Sequence, residues 1–266
     1  AGTLTITNSG ALGTAAGGTT VNSGATLEFN GAGVGIGDAL TISGTGNGGI
    51  GALRFTYSGS PTFDTAVFNN VVSLAANATI TFTDRTFLNS IGGFQLGSST
   101  LTVVSEGAGN STIRMTGAIS GTGGIIQEGN GLLELIGNNT FTGPVTVNGG
   151  DLLLEFGAAV AYSVAISMAA GTRLFVVGSE TIGSLSGAGA LRLSSNGTLT
   201  TGGNNASTTL SGNVSGNGSI TKVGTGTFTL TGANSAVGTT TISGGTLQIG
   251  NGGTTGSLGT GNVVNN

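Results

Sequence analysis

The stretch Gly216-Asn-Gly-Ser-Ile-Thr-Lys-Val-Gly-Thr-Gly-Thr-Phe-Thr-Leu-Thr-Gly-Ala-Asn234, continued by Gly238-Thr-Thr-Thr-Ile-Ser-Gly-Gly-Thr-Leu247, decides how this chain folds. Phe228 and Leu230 alternate with Thr227, Thr229 and Thr231, the two-residue period of a strand with one buried face. The same alternation recurs at Thr3 to Thr7, Thr79 to Thr83, Leu101 to Val104 and Thr246 to Ile249. Glycine or Asn-Gly interrupts it every few residues. No apolar i, i+3, i+4 pattern persists, and Lys, Glu and Arg are too scarce to dress a helix surface. The chain is all-β.

The quoted stretch has a partner within the chain. Residues 121–154 align without gaps on 216–249, and 13 of the 34 positions are identical. They are Gly121, Gly123, Ile125, Gly129, Gly131, Leu135, Gly137, Asn139, Gly143, Thr146, Gly149, Gly150 and Leu152, each matched in the later copy. Matched glycines are expected where turns need positive φ or where backbones pack against each other. A repeat of this size is a mark of solenoid architectures.

Composition removes most alternatives. Of 266 residues, 55 are Gly and 6% are charged; there are two Pro and no Cys, His or Trp. That excludes a disulfide framework, a Cys or His zinc site, a Cys nucleophile and a histidine base. Collagen needs abundant proline and a three-residue glycine period. Disorder needs low hydropathy, whereas mean hydropathy here is +0.33. Ten acids against five Arg and the lone Lys222 leave a net charge of −4; a nucleic-acid partner is not expected from such a surface. The uncharged window Phe156 to Thr172 is too short and too polar to span a bilayer and reads as a buried strand pair.

With both copies on view, the residues resemble the passenger-associated transport repeat of bacterial autotransporters. That motif runs roughly G-x-G-x-L-x-K-x-G-x-G-x-L-x-L-x-G-x-N, then an aromatic and G-x-T-x-I-x-x-G-x-L. In the first copy Gln127 stands where the motif prefers Lys, and Asn138-Asn-Thr-Phe-Thr-Gly143 supplies the aromatic segment. In the second copy Ala236 replaces the aromatic. Gly51-Ala-Leu-Arg54 and Leu74-Ala-Ala-Asn-Ala-Thr-Ile80 resemble other passenger phrases. The resemblance implies a right-handed parallel β-helix, with residues 1–266 as a single β-solenoid segment. It also implies an extracellular, cell-surface location and a structural or adhesive shaft whose repeats aid secretion and folding.

A solenoid of this kind stacks coils about 4.8 Å apart. At about 20–29 residues per coil the chain would make about 9 to 13 coils. Inward Leu, Ile, Val and Phe queue in ladders, while outward Thr suits the strand conformation. Charge is scarce for a reason, because like charges in register would repel across the coil spacing.

Ten carboxylates are candidates for chemistry: Glu28, Asp38, Asp64, Asp84, Glu106, Glu128, Glu134, Asp151, Glu155 and Glu180. Asp151 and Glu155 lie four apart on one strand, with Glu134 on a neighbouring coil, the arrangement that suggests a glycosidase or lyase pair. No basic cluster accompanies them, so they read as solvated acids. No catalytic, cofactor or metal site is assigned, no cofactor is expected, and the protein is read as not an enzyme, with a polysaccharide hydrolase or lyase as the alternative. Gly44-Thr-Gly-Asn-Gly-Gly49 matches a dinucleotide fingerprint by composition alone, without its strand–helix unit. Asn77, Asn110 and Asn213 head sequons that Asn, Ser and Thr richness produces. Thr-x-Thr strands resemble those of ice-binding solenoids, but the Thr runs are irregularly spaced along the sequence.

The ends carry one more expectation. Ala1 follows no basic region or hydrophobic signal core, and Leu258 to Asn266 read into Ala1 to Leu4 resembles the internal phrase Leu12 to Leu27. The chain therefore reads as one window of a longer solenoid. Its expected partners are adjoining coils of that solenoid or further copies of itself, end to end as a fibre. No membrane insertion of the segment is expected, and its receptor has no readable motif.

Overall fold

A computed structural model describes residues 1–13, 16–31, 34–56, 64–83, 86–90, 92–106, 111–155, 157 and 159–266, with only the backbone described at 64–67 and 86–90. Asp84, Asn110, Phe156 and the side chain of Asp64 lie outside the described residues. Two compact units result, Ala1–Gly143 and Pro144–Asn266. Each is a parallel β-solenoid: every coil lays its strands on those of the previous coil in parallel register. Among the described residues the only helical element is the 3-10 turn Asn47–Gly49.

In the first unit one face stacks Thr3–Ile6, Thr26–Asn30, Leu53–Thr56, the end of Val72–Phe82, Leu101–Ser105 and Ile125–Gly129. A second carries Asp64–Phe68, Thr86–Ser90, Thr112–Met115 and Leu132–Leu135. A third carries Thr19–Val21, Leu40–Gly44, the start of Val72–Phe82, Phe94–Gln95 and Ile119–Ser120. Coil length varies: Thr3 meets Thr26, 23 residues on, whereas Leu53 meets Ile80, 27 residues on. Inward columns are what the two-residue period anticipates. Leu27, Leu53, Ile80 and Val103 queue beneath Gln127. Phe29, Phe55 and Phe82 form a stacked pile with ring centroids 4.7 Å apart and planes within 11°. Each buried ring contributes about 1.5–3 kcal/mol by leaving water, and stacking adds about 0.5–1.5 kcal/mol.

The second unit repeats the plan with shorter coils. Its first face stacks Val145–Val147, Ala165–Met168, Ser184–Gly187, Thr208–Leu210, Thr227–Leu230 and Thr246–Ile249. Its second stacks Asp151–Glu155, Arg173–Val177, Ala190–Leu193 and Val214–Gly216. Its third stacks Ser179–Ile182, Thr198–Thr201, Ser219–Lys222, Thr240–Ile242 and Val263–Asn265. Ile166 meets Leu185 after 19 residues. The tight corners need glycine: a Cβ on Gly238 would lie 2.0 Å from the Gly218 carbonyl oxygen, and one on Gly261 would lie 1.9 Å from that of Gly238.

Among its described residues the window Phe156 to Thr172 does not form the expected strand pair. It supplies one strand, Ala165–Met168, preceded by a turn that buries Ala159, Val160 and Val164. The cause lies one coil on, where Glu180 accepts hydrogen bonds from the backbone N–H groups of Gly157 (2.6 Å) and Ala159 (3.3 Å). Those donors are then unavailable to a strand ladder.

Candidate functional site in the repeat copies

The second copy closes on itself. Its first strand, Ser219–Lys222, pairs with its third, Thr240–Ile242, and its second, Thr227–Leu230, with its fourth, Thr246–Ile249. Two successive coils are thus hydrogen-bonded within about thirty residues, a local contact set with a small loop-closure cost. Phe228 and Leu230 fill the inside and are buried. In the first copy Leu133 and Leu135 hold the matching positions, also buried.

The matched asparagines clasp neighbouring coils in both copies. Asn139 Oδ1 accepts from the Ile119 N–H at 2.8 Å, and Asn234 Oδ1 accepts from the Val214 N–H at 2.6 Å. Asn234 also reaches forward: its Nδ2 donates to the Ser257 carbonyl at 2.6 Å, and its backbone N–H donates to Ser257 Oγ. One side chain therefore satisfies backbone groups on the coils before and after it. Such groups are expensive to leave unpaired when buried.

In the sequence Lys222 and Gln127 stand out only as motif match and mismatch; in the structure both are fully buried, at 0% exposure. Lys222 lies in register between Thr201 and Ile242. Its Nζ donates to the carbonyls of Val223 (2.5 Å), Gly224 (3.2 Å) and Gly244 (3.2 Å), so the cation ties one corner to the next coil. Burial pulls its pKa below the ordinary lysine range. Gln127 Nε2 donates to the Gly131 carbonyl at 3.4 Å, but its Oε1 has no partner.

Several of the acids are paired or buried where solvated groups were expected, whereas Glu106 is exposed and Glu28 and Glu128 are half-exposed. Asp151 is held by Arg173 through two bonds of 2.6 and 2.7 Å, and Glu134 by Arg114 at 2.5 Å. Both pairs link residues in register on adjoining coils. Glu155 is half-buried and lies beside Val177. Glu180 and Asp38 are buried, Asp38 accepting from Thr19 Oγ1 at 2.9 Å. Burial pushes the Glu180 carboxyl above the usual range, although its two backbone donors pull the other way. The parity of Ser179-Glu180-Thr181-Ile182 carries that signal, since Glu180 shares the inward positions with Ile182. Among the described residues no candidate pair comes together as free carboxylates. Among the described residues no three acids gather as a metal site. A depression of about 270 Å³ at the first coil is lined by Thr3, Leu4, Val21 and Leu27 and holds no acid. Among the described residues no helix is long and apolar enough to cross a membrane.

The passenger-associated transport repeat family matches residues 125–154 and 220–249, inside the two copies. A curated relative, the adhesin BmaC autotransporter of Brucella suis biovar 1 (strain 1330), is 33% identical over an alignment of 230 residues that covers 83% of this chain. The chain spans about 6% of that relative's length. No solved structure matches. The two matches bear out the resemblance read from the sequence: the chain carries two passenger-associated transport repeats and is similar over most of its length to an autotransporter adhesin.

Proposed function

We propose that the chain is part of an extracellular structural and adhesive shaft, and that its repeat copies help the passenger fold and leave the cell. The supporting observation is the closure of the second copy into two coils bonded to each other. A segment that completes its own core as soon as it emerges gains burial free energy locally, and that gain opposes back-sliding and draws the following chain outward. The relative named an adhesin autotransporter supports the location and the non-catalytic role. So does the commitment of Asp151 and Glu134 to arginines. Leu4 and Val263 are exposed on strands Thr3–Ile6 and Val263–Asn265, edges suited to a further parallel coil, whether from adjoining sequence or from a second copy as a fibre.

The test is display. In a passenger carrying this segment, Leu135→Asp and Leu230→Asp each place an unpaired charge at a site now buried, a change worth several kcal/mol. Surface-exposed passenger, measured by antibody labelling of intact cells, is expected to fall in both variants and most in the double variant. Undiminished display of the double variant would remove the export role.

A further inference from the structure

The third face of the second unit carries an array that is hidden in the sequence. Strands Ser179–Ile182, Thr198–Thr201, Ser219–Lys222 and Thr240–Ile242 stack in register, with Glu180, Leu199, Ile220 and Thr240 buried inward. The alternate positions face out. Thr181, Thr200, Thr221 and Thr241 form one column. Ser179, Thr198 and Ser219 form a second, continued by Thr239, the residue before the last strand. The offsets along the chain are unequal because coil length varies, and parallel register removes the irregularity.

The result is a two-by-four grid of hydroxyls, about 4.8 Å apart between coils and about 6.6 Å along each strand. All eight side chains are exposed or half-exposed, and among the described residues no hydrogen bond engages their hydroxyls. Some outward hydroxyls elsewhere are used internally: Ser167 Oγ donates to Thr146 Oγ1, and Ser186 Oγ to the Ile166 carbonyl. Threonine is stiff about χ1, so the all-threonine column holds its hydroxyl and methyl groups in fixed alternation, while Ser179 and Ser219 give the second column hydroxyls without methyls. The grid contains no charge, no amide and no ring, the groups that usually orient a sugar or a peptide. What fits it is a flat, uncharged lattice offering a donor and an acceptor at every site. The coil spacing lies near the shorter in-plane oxygen repeat of the prism face of hexagonal ice. We propose that this face binds crystalline water, holding the shaft to an ice surface.

The test uses the full chain, fluorescently labelled, in partition against a slowly growing ice hemisphere. The chain is expected to be enriched in ice relative to an unrelated labelled protein. Thr200→Tyr and Thr221→Tyr are expected to lose most of that enrichment, while Thr102→Tyr, on a half-exposed strand position of the first unit, keeps it. Thr200→Val with Thr221→Val, which preserves shape and strand preference, is expected to weaken partition with an unchanged melting curve. Exclusion of the parent chain from ice, or equal enrichment of the grid variants and Thr102→Tyr, overturns the proposal. So does retention on crystalline cellulose or chitin together with exclusion from ice, which would assign the grid to a polysaccharide.

Discussion

The two repeat copies place Gln127 and Lys222 at matching positions, both withdrawn from solvent, and surround them unequally. Lysine brings three donors and no acceptor to a corner that presents three carbonyls. Glutamine brings an acceptor that nothing answers. A second difference runs the opposite way. Phe141 fills the first copy's aromatic position at 0% exposure, while the second copy has Ala236 there. Thus the first copy is held more by apolar volume and the second more by a cation that gathers backbone carbonyls. Their common parts are the asparagine clasp, the inward leucine and the close-packed glycines at Gly143 and Gly238, whose Cβ would meet carbonyl oxygens at 2.3 and 2.0 Å.

The largest expected effect falls on the apolar half of this contrast. Phe141→Ala should destabilise the chain by about 3–5 kcal/mol, the usual result of emptying a buried aromatic site. Ala236→Gly removes a single methyl group, worth about 1 kcal/mol. Equilibrium urea unfolding of the two variants measures the ratio. Equal losses would break the contrast, because they would mean that the aromatic segment adds nothing to the first copy.

Next in size is a pair of substitutions expected to differ in sign. Lys222→Met fills similar volume but takes the donor from three partly buried carbonyls, a loss of up to about 1–3 kcal/mol for a group left unsatisfied. Gln127→Met removes an orphan acceptor with only one long hydrogen bond lost, so stability should hold or rise. Thermal melts of the two variants decide it. Destabilisation by both would show that the amide has a partner role equal to that of the ammonium.

These contrasts also show what can be read from sequence and what cannot. Period-two stretches such as Thr227 to Thr231 locate strands, and the glycine pattern locates corners, because both depend on local backbone geometry. The repeat over 34 positions is legible because glycine cannot be replaced where coils touch, as at Gly238. Register is not legible, since Leu53 finds its neighbour 27 residues on and Ile166 only 19. No local pattern announces which coil will be long and which short. For the same reason the hydroxyl grid looks in the sequence like scattered threonine, and acids destined for pairing or burial look solvated. Asp151 and Arg173 meet only once the coil between them has a length, and the inward turn of Glu180 conflicts with its composition class while obeying its strand parity.

The smallest effect, and the most specific to the second copy, is a dependence on alkaline pH. Lys222 is the only lysine in the chain, and burial lowers its pKa in the folded state. Between that lowered value and the ordinary value of about 10.4 the unfolded chain holds a proton that the folded chain has released. The unfolded state then binds more protons, so the lysine's contribution to stability rises with pH across this window. It becomes constant above the unfolded pKa, where neither state holds the proton. Below the folded pKa both states are charged and the contribution is again flat, at its lower level. Lys222→Gln removes the titration and leaves the rest of the copy in place, so the difference between parent and variant unfolding free energies should climb through the alkaline range and be level near neutrality. Urea unfolding at stepped pH measures it. A difference that stays level at alkaline pH, or falls, would mean that the three carbonyls hold the ammonium strongly enough to cancel its loss of hydration. The second copy's fastener would then be an ion bound by its corner with no cost of burial.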